Sequence, residues 1–253
     1  YFIFTTFRAG GPYLEAMFAR LLGIPLFLFT LIGLYLSWEV DAEYSWMIIL
    51  GVILVATNHV FSPQINWWWY TRHPLDLDPA MKTFLERFDL AYQQLGPVDK
   101  TRFRQRIALF KMGNEFMPQG WESVPEDIQV VISAAAVKVR FDEENLLFSN
   151  CEKIVVYPTA FPSPAHQQEW HSSEWFSEDG VVLFAADALM LGLMQPTKYL
   201  DLAVYEYCRI QNELTGRQHQ NNPGDPWAEI HSRTGWTMEQ VQQMIGLQRV
   251  DEM

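Results

Sequence analysis

Two apolar runs dominate the first quarter of the chain. Residues 21–38 (LLGIPLFLFTLIGLYLSW) and 44–61 (YSWMIILGVILVATNHVF) each run for eighteen residues without a charge. At ~1.5 Å rise per residue, that is the length a helix needs to cross a bilayer. The joining segment EVDAE carries three carboxylates in five residues, which suits the tip of a helical hairpin. Trp67, Trp68, Trp69 and Tyr70 follow the second run, where an aromatic belt at a membrane interface is expected. Pro25 and Gly33 in the first run are tolerable in a membrane helix. This pattern predicts an N-terminal segment over 1–20 and a transmembrane hairpin over 21–72. A proline-bearing linker over 73–79 (HPLDLDP) and a separate domain over 80–253 complete the organisation.

The domain has a different rhythm. Residues 80–95 place Phe84, Leu85, Phe88 and Tyr92 at helical spacing, and Gly96-Pro97 ends that helix. Residues 99–112 put Phe103, Ile107 and Phe110 on one face, with Arg102, Arg104 and Arg106 around it as a solvated face. Ser123 and Glu126 have the spacing of a capping box, which predicts a helix through residue 141. KIVVY (153–157) and VVLF (181–184) are short β-branched runs that read as strands. A polar, histidine-bearing stretch separates them. Residues 199–212 read as a helix, 216–226 as a loop, and Thr237 as the cap of a final helix. Strands among helices make the domain α+β.

Charge sharpens the division. Only 19% of residues are charged, below the ~25% of ordinary soluble chains. Three of the 18 Lys and Arg and four of the 30 Asp and Glu precede residue 75, so nearly all of the net −12 belongs to the domain. Such acidity excludes a nucleic-acid binder and disfavours broad contact with anionic lipid, leaving protein partners as the expectation. Arg8 and Arg20 precede the first run and Arg72 and Lys82 follow the second, while the tip has no basic residue. The positive-inside rule then places both ends and the domain in the cytoplasm of a bacterial-type inner membrane. Two cysteines cannot staple a fold of 253 residues, in keeping with a reducing compartment.

From Trp68 to Asn212 the chain resembles the MtfA-like (Mlc titration factor A) zinc peptidases. The resemblance rests on FRQRIALFKMGNEF (103–116), AAAVKVRF (134–141), IVVYPTAF (154–161), EDGVVLFAADAL (178–189) and the helix that follows. It implies a zincin-like domain in which the tyrosine-proline strand and the valine-rich strand precede a helix bearing HExxH. That motif sets two imidazoles one turn apart on one face, with the glutamate as general base for a zinc-bound water. Here the matching residues are Tyr205, Glu206, Tyr207, Cys208 and Arg209. Both histidines are absent; a guanidinium has no lone pair to donate, and tyrosine is a poor zinc ligand at neutral pH. Only the base position, Glu206, is kept. Zinc is therefore not expected, and Arg209 is a candidate to fill part of the vacated space by pairing with Glu206 or Glu178.

Other constellations were weighed against this one. His166, His171, Glu174 and Cys208 could supply a substitute metal site, with His171 and Glu174 sharing a face if their stretch is helical. Cys208 beside Arg209 could carry a lowered thiol pKa. Trp170, Trp175 and Phe176 in a polar stretch are candidate anchors for a protein partner. Met190 and Met194 suit a core or a partner surface. The resulting expectation is a membrane-anchored, catalytically inactive peptidase-like domain serving as a scaffold or subunit of a membrane complex. The alternative is a membrane-bound zinc peptidase with Glu206 as base and ligands drawn from 166–174.

Overall fold

The computed structural model describes residues 17–163 and 170–216, together with 228, 231, 232, 235–237, 239 and 240. It divides into two compact units, Tyr1–Leu75 and Asp76–Met253.

The first unit holds α1 (Met17–Glu39), α2 (Ser45–Val60) and α3 (Ser62–Arg72). Helix α1 extends about 34 Å and α2 about 24 Å at helical rise. Between them Asp41 caps a single 3-10 turn, its carboxylate accepting from the Glu43 N–H at 2.9 Å. The acidic tip forms as the sequence suggests. Helices α1 and α2 close on each other at glycines. A Cβ at Gly33 would lie 2.7 Å from Met47 Cβ, and one at Gly51 would overlap Thr30. Two asparagines hold the start of α1: the Ala19 N–H donates to Asn66 Oδ1 at 2.9 Å, and its carbonyl accepts from Asn58 Nδ2 at 3.0 Å. The outward faces are apolar, with Ile24, Phe27, Leu31, Ile49 and Ile53 all exposed. Phe18–Glu39 of α1, and Ala42–Val60 formed by the 3-10 turn with α2, are each long and apolar enough to cross a membrane.

Trp67, Trp68, Trp69 and Tyr70 lie on α3, where consecutive side chains point ~100° apart. Only Trp68 is open; Tyr70 is buried, and Trp69 stacks at 4.0 Å on both Phe18 and His73. A second exposed set, unnoticed in the sequence, surrounds the tip: Tyr35, Trp38, Tyr44 and Trp46.

The second unit contains α4 (Pro79–Phe88), α5 (Leu90–Gln94), α6 (Pro97–Gly113), β1 (Glu115–Pro118), α7 (Glu126–Val139), β2 (Lys153–Tyr157), β3 (Phe161–Pro162), β4 (Trp170–His171), β5 (Ser173–Phe176), β6 (Val181–Ala185), α8 (Ala186–Met194) and α9 (Leu202–Leu214). A four-stranded sheet runs β1-β2-β6-β5, with β1, β2 and β6 parallel and β5 antiparallel at the edge. Strands β3 and β4 make a separate two-residue pairing. Period-two alternation sends Ile154, Val156, Val182 and Phe184 into the main core with α6, α7 and α9. Leu183 and Ala185 face the other way, onto Phe161. Ala134, Ala135 and Ala136 are buried, and α7 packs closely through them.

Four expectations change. The helix over 80–95 breaks at Asp89, whose buried carboxylate accepts from the Tyr92 N–H and starts α5. The Ser123–Glu126 capping box does not form: α7 begins at Glu126 behind an extended Pro125, and it stops at Val139 rather than 141. The arginines of α6 are not a merely solvated face. Arg104 donates to Asp76 at 2.8 Å and to the Tyr92 hydroxyl at 2.8 Å, while Arg106 donates to the Arg140 and Glu143 carbonyls. Strands β1, β4 and β5 lie in segments whose sequence showed no β-branched run. Near the C-terminus, Thr237 Oγ1 accepts from the Gln240 N–H at 3.3 Å while Gln240 Oε1 accepts from the Thr237 N–H at 2.8 Å, a reciprocal cap where one was expected.

Candidate functional site

Helix α9 starts where the Asp201 side chain accepts from the Val204 N–H at 3.2 Å. Its inward stripe is Leu202, Ala203, Glu206, Tyr207 and Ile210. Helical spacing thus inserts one carboxylate into an otherwise apolar face. Tyr207 anchors the helix, its fully buried ring stacked on Phe148 and edge-on to Phe110. Glu206, 2% exposed, is carried inward beside it.

A buried carboxylate is costly unless it is hydrogen-bonded or paired. Glu206 has both kinds of partner. The Ser173 hydroxyl of β5 donates to Oε1 at 2.8 Å. Arg209 Nη1, one turn further along α9, lies 3.5 Å from Oε2. Desolvation dominates even so and holds the Glu206 carboxyl above its ordinary value. The nearby Glu174 charge adds to that, against the lowering from Ser173 and Arg209. Burial, together with the Glu206 charge, also pushes the Tyr205 phenol up.

Strand β5 is tied to α9 at a second point, where Trp175 Nε1 donates to Glu213 Oε2 at 2.8 Å. Residues 173 and 175 share one side of the strand, and 206 and 213 share one face of the helix. Two side-chain bonds therefore fix the sheet's edge strand along the helix. Glu174, on the other side of the strand, accepts from the Ser163 hydroxyl at 2.8 Å.

The remaining candidates fall as follows. Tyr205, Glu206 and Arg209 sit on one helix as expected, and Arg209 pairs with Glu206 rather than with Glu178. His171 and Glu174 lie on β4 and β5, so the helical register that would put them on one face is not formed. Cys208 is exposed. Its thiol is raised by desolvation and by Asp201, the reverse of an activated nucleophile. Cys151 is buried and pushed up to about 12 by the same effect. Trp175 is buried and hydrogen-bonded, so it belongs to the packing and not to a partner surface. Phe176 packs against the smaller cluster. Trp170, 69% exposed, keeps an open ring. His166 lies outside the described residues. Sequence reading missed Ser173 and Glu213; Ser173-Glu174-Trp175-Phe176 has no period-two alternation that would have marked a strand.

Do these residues fit a zinc ion? Zinc takes neutral imidazole, carboxylate or thiolate donors. Tyr205 holds its proton more firmly than a free phenol does, and Arg209 brings a positive charge to the Glu206 carboxylate. They do not fit. Among the described residues no group of three or more His, Cys, Asp or Glu is arranged to hold a metal ion.

The family model of the glucose-regulated metallo-peptidases M90 matches residues 65–197. The match ends five residues before α9 begins. No curated protein and no solved structure matches the chain.

Proposed function

The chain belongs to the glucose-regulated metallo-peptidase family M90, and from that premise we propose that its second unit is a peptidase-like domain without catalysis. It serves as a protein-binding scaffold, or as a subunit of a membrane complex. The observation that carries this reading is the approach of Arg209 to Glu206, the residue that the resemblance sets at the family's general-base position. A base facing a guanidinium, on a helix with no histidine at 205 or 209, cannot activate a metal-bound water.

Two features support a binding role. Strand β5 is one of the sheet's two outer strands, held to α9 by Ser173 and Trp175, and an extended segment can add to such an edge through main-chain hydrogen bonds. The exposed Trp170 ring is adjacent in sequence and can anchor the partner. Helices α1 and α2 insert in the inner membrane, where lipid covers their apolar faces, and the basic residues on either side keep the domain cytoplasmic.

The retained Glu206 favours a second reading, a zinc peptidase with ligands recruited from 166–174. One experiment separates the two: purification from native membrane, with mass spectrometry and metal analysis on the same sample. The scaffold reading expects a stoichiometric protein partner. Isolation of a lone monomer would defeat it, as would peptidase activity abolished by Glu206→Gln.

A further inference from the structure

We propose that Arg209 is a built-in replacement for the metal cation of this site, so that the α9–β5 junction is held by a pair between the buried Glu206 and Arg209, whose side chain is 53% exposed, and takes no zinc. The inference rests on the reading of α9 as the family's ligand helix, and it adds what became of the positive charge that such a site needs.

The buried carboxylate is the starting point. Glu206 is set in the apolar stripe of α9 with one oxygen bonded to Ser173. Its second oxygen, Oε2, is buried and has no hydrogen-bond donor; the charge facing it is Arg209 at 3.5 Å. The other ionisable groups around Glu206 are Glu174 on β5, the Tyr205 phenol on α9 and the Cys151 thiol ahead of β2. None of them is a cation, so among the described residues Arg209 is the group that stabilises the ionised form by charge. A dication beside Glu206 would meet the guanidinium at close range, and like charges in a partly desolvated site repel strongly. The substitution of arginine at this position therefore does two things at once. It removes a ligand, and it supplies the charge the ligand would have held.

The consequence reaches the edge strand. Glu206 positions Ser173, and Ser173 lies on β5. The strand proposed to receive a partner is thereby fixed without any metal. Partner docking should be indifferent to chelators, unlike a zinc-dependent cleft.

Arg209 is a positioning residue, and its test needs a readout that mere packing would not move. The full chain in detergent is compared as wild type, Arg209→Met and Arg209→Lys by chemical unfolding across pH. Below the ordinary carboxylate value of 4.5, Glu206 is protonated in both folded and unfolded chains, and Arg209 has no charge to neutralise. Above it, loss of the guanidinium leaves Glu206 less able to ionise in the fold. The deficit of Arg209→Met against wild type should therefore grow as pH rises, and Arg209→Lys should restore most of it. Metal analysis of wild type should show no stoichiometric zinc, and chelator should leave the unfolding midpoint unchanged. A deficit constant with pH would overturn the proposal, and so would no deficit at all. About one zinc per chain, lost on Glu206→Gln, would do the same. These results are separable from the scaffold reading. A chain without a partner leaves them untouched, and a zinc-loaded wild type overturns this inference even if a partner is found.

Discussion

Lys138 Nζ lies 2.9 Å from the carboxylate of Asp89, which is 1% exposed, and 3.6 Å from Asp201, the residue that caps α9. One ammonium on α7 thus ties the break between α4 and α5 to the start of the helix that carries Glu206. Breaking a buried pair from one side leaves an uncompensated charge, which is worse than removing both. Lys138→Met should destabilise the chain by about 3 kcal/mol. The double variant Asp89→Asn/Lys138→Met should lose clearly less. Urea unfolding of the two variants measures the difference, and equal losses would mean that Asp89 and Lys138 are not energetically coupled.

Glu206 gives a pH prediction with a definite sign. Its carboxyl is held above the ordinary value of 4.5 by burial. Between 4.5 and that raised value the folded chain binds more protons than the unfolded one, so stability falls as pH rises through the interval. Glu206→Gln should flatten this part of the stability–pH curve. A variant curve parallel to wild type would show that another group titrates there.

The two tryptophans on either side of Ser173 should behave oppositely. Trp175 is buried and donates to Glu213, so Trp175→Ala should cost about 3 kcal/mol in stability. Trp170 is exposed. Trp170→Ala should leave unfolding unchanged while reducing the protein that copurifies with the chain. Full recovery of that partner would exclude Trp170 from the contact.

Gly192 on α8 is a steric test of how α8 meets the approach to α9. A Cβ there would overlap the Leu200 carbonyl, which is backbone and cannot rotate away. Gly192→Ala should destabilise by about 2 kcal/mol despite alanine's better helix propensity. A gain in stability would show that the Leu200 segment can shift.

Membrane insertion is checked by alkaline carbonate extraction of native membranes. If lipid covers the exposed faces of α1 and α2, as proposed, the chain should stay in the pellet. Release into the supernatant would show that another protein covers those faces.

Much of the fold was legible because its signals are local. The apolar runs at 21–38 and 44–61, the strands at 153–157 and 181–184 and the helix expected over 199–212 (observed as Leu202–Leu214) follow from side-chain periodicity along a single element. Strand β5 was not legible in the same way. Ser173 and Glu174 are poor strand formers, and they adopt extended structure because β6 offers them a ladder with Trp175 opposite Val182. Asp89 misled for a related reason. Its neighbours have helical spacing, but its carboxylate is taken by the Tyr92 N–H and by Lys138, which lies 49 residues away in sequence.

The candidate site divides along the same line. The sequence by itself determined that no histidine stands at 205 or 209 and that Glu206 remains, because residue identity alone decides which atoms can bind a metal. Only the tertiary structure decided that Glu206 is buried, that Arg209 turns back onto it, and that Ser173 and Trp175 fasten an edge strand to the same helix. The bonds from Ser173 and Trp175 join residues more than thirty positions apart, and the strength of the contacts to Glu206 comes from the desolvation that packing imposes on a carboxylate, which no local pattern encodes.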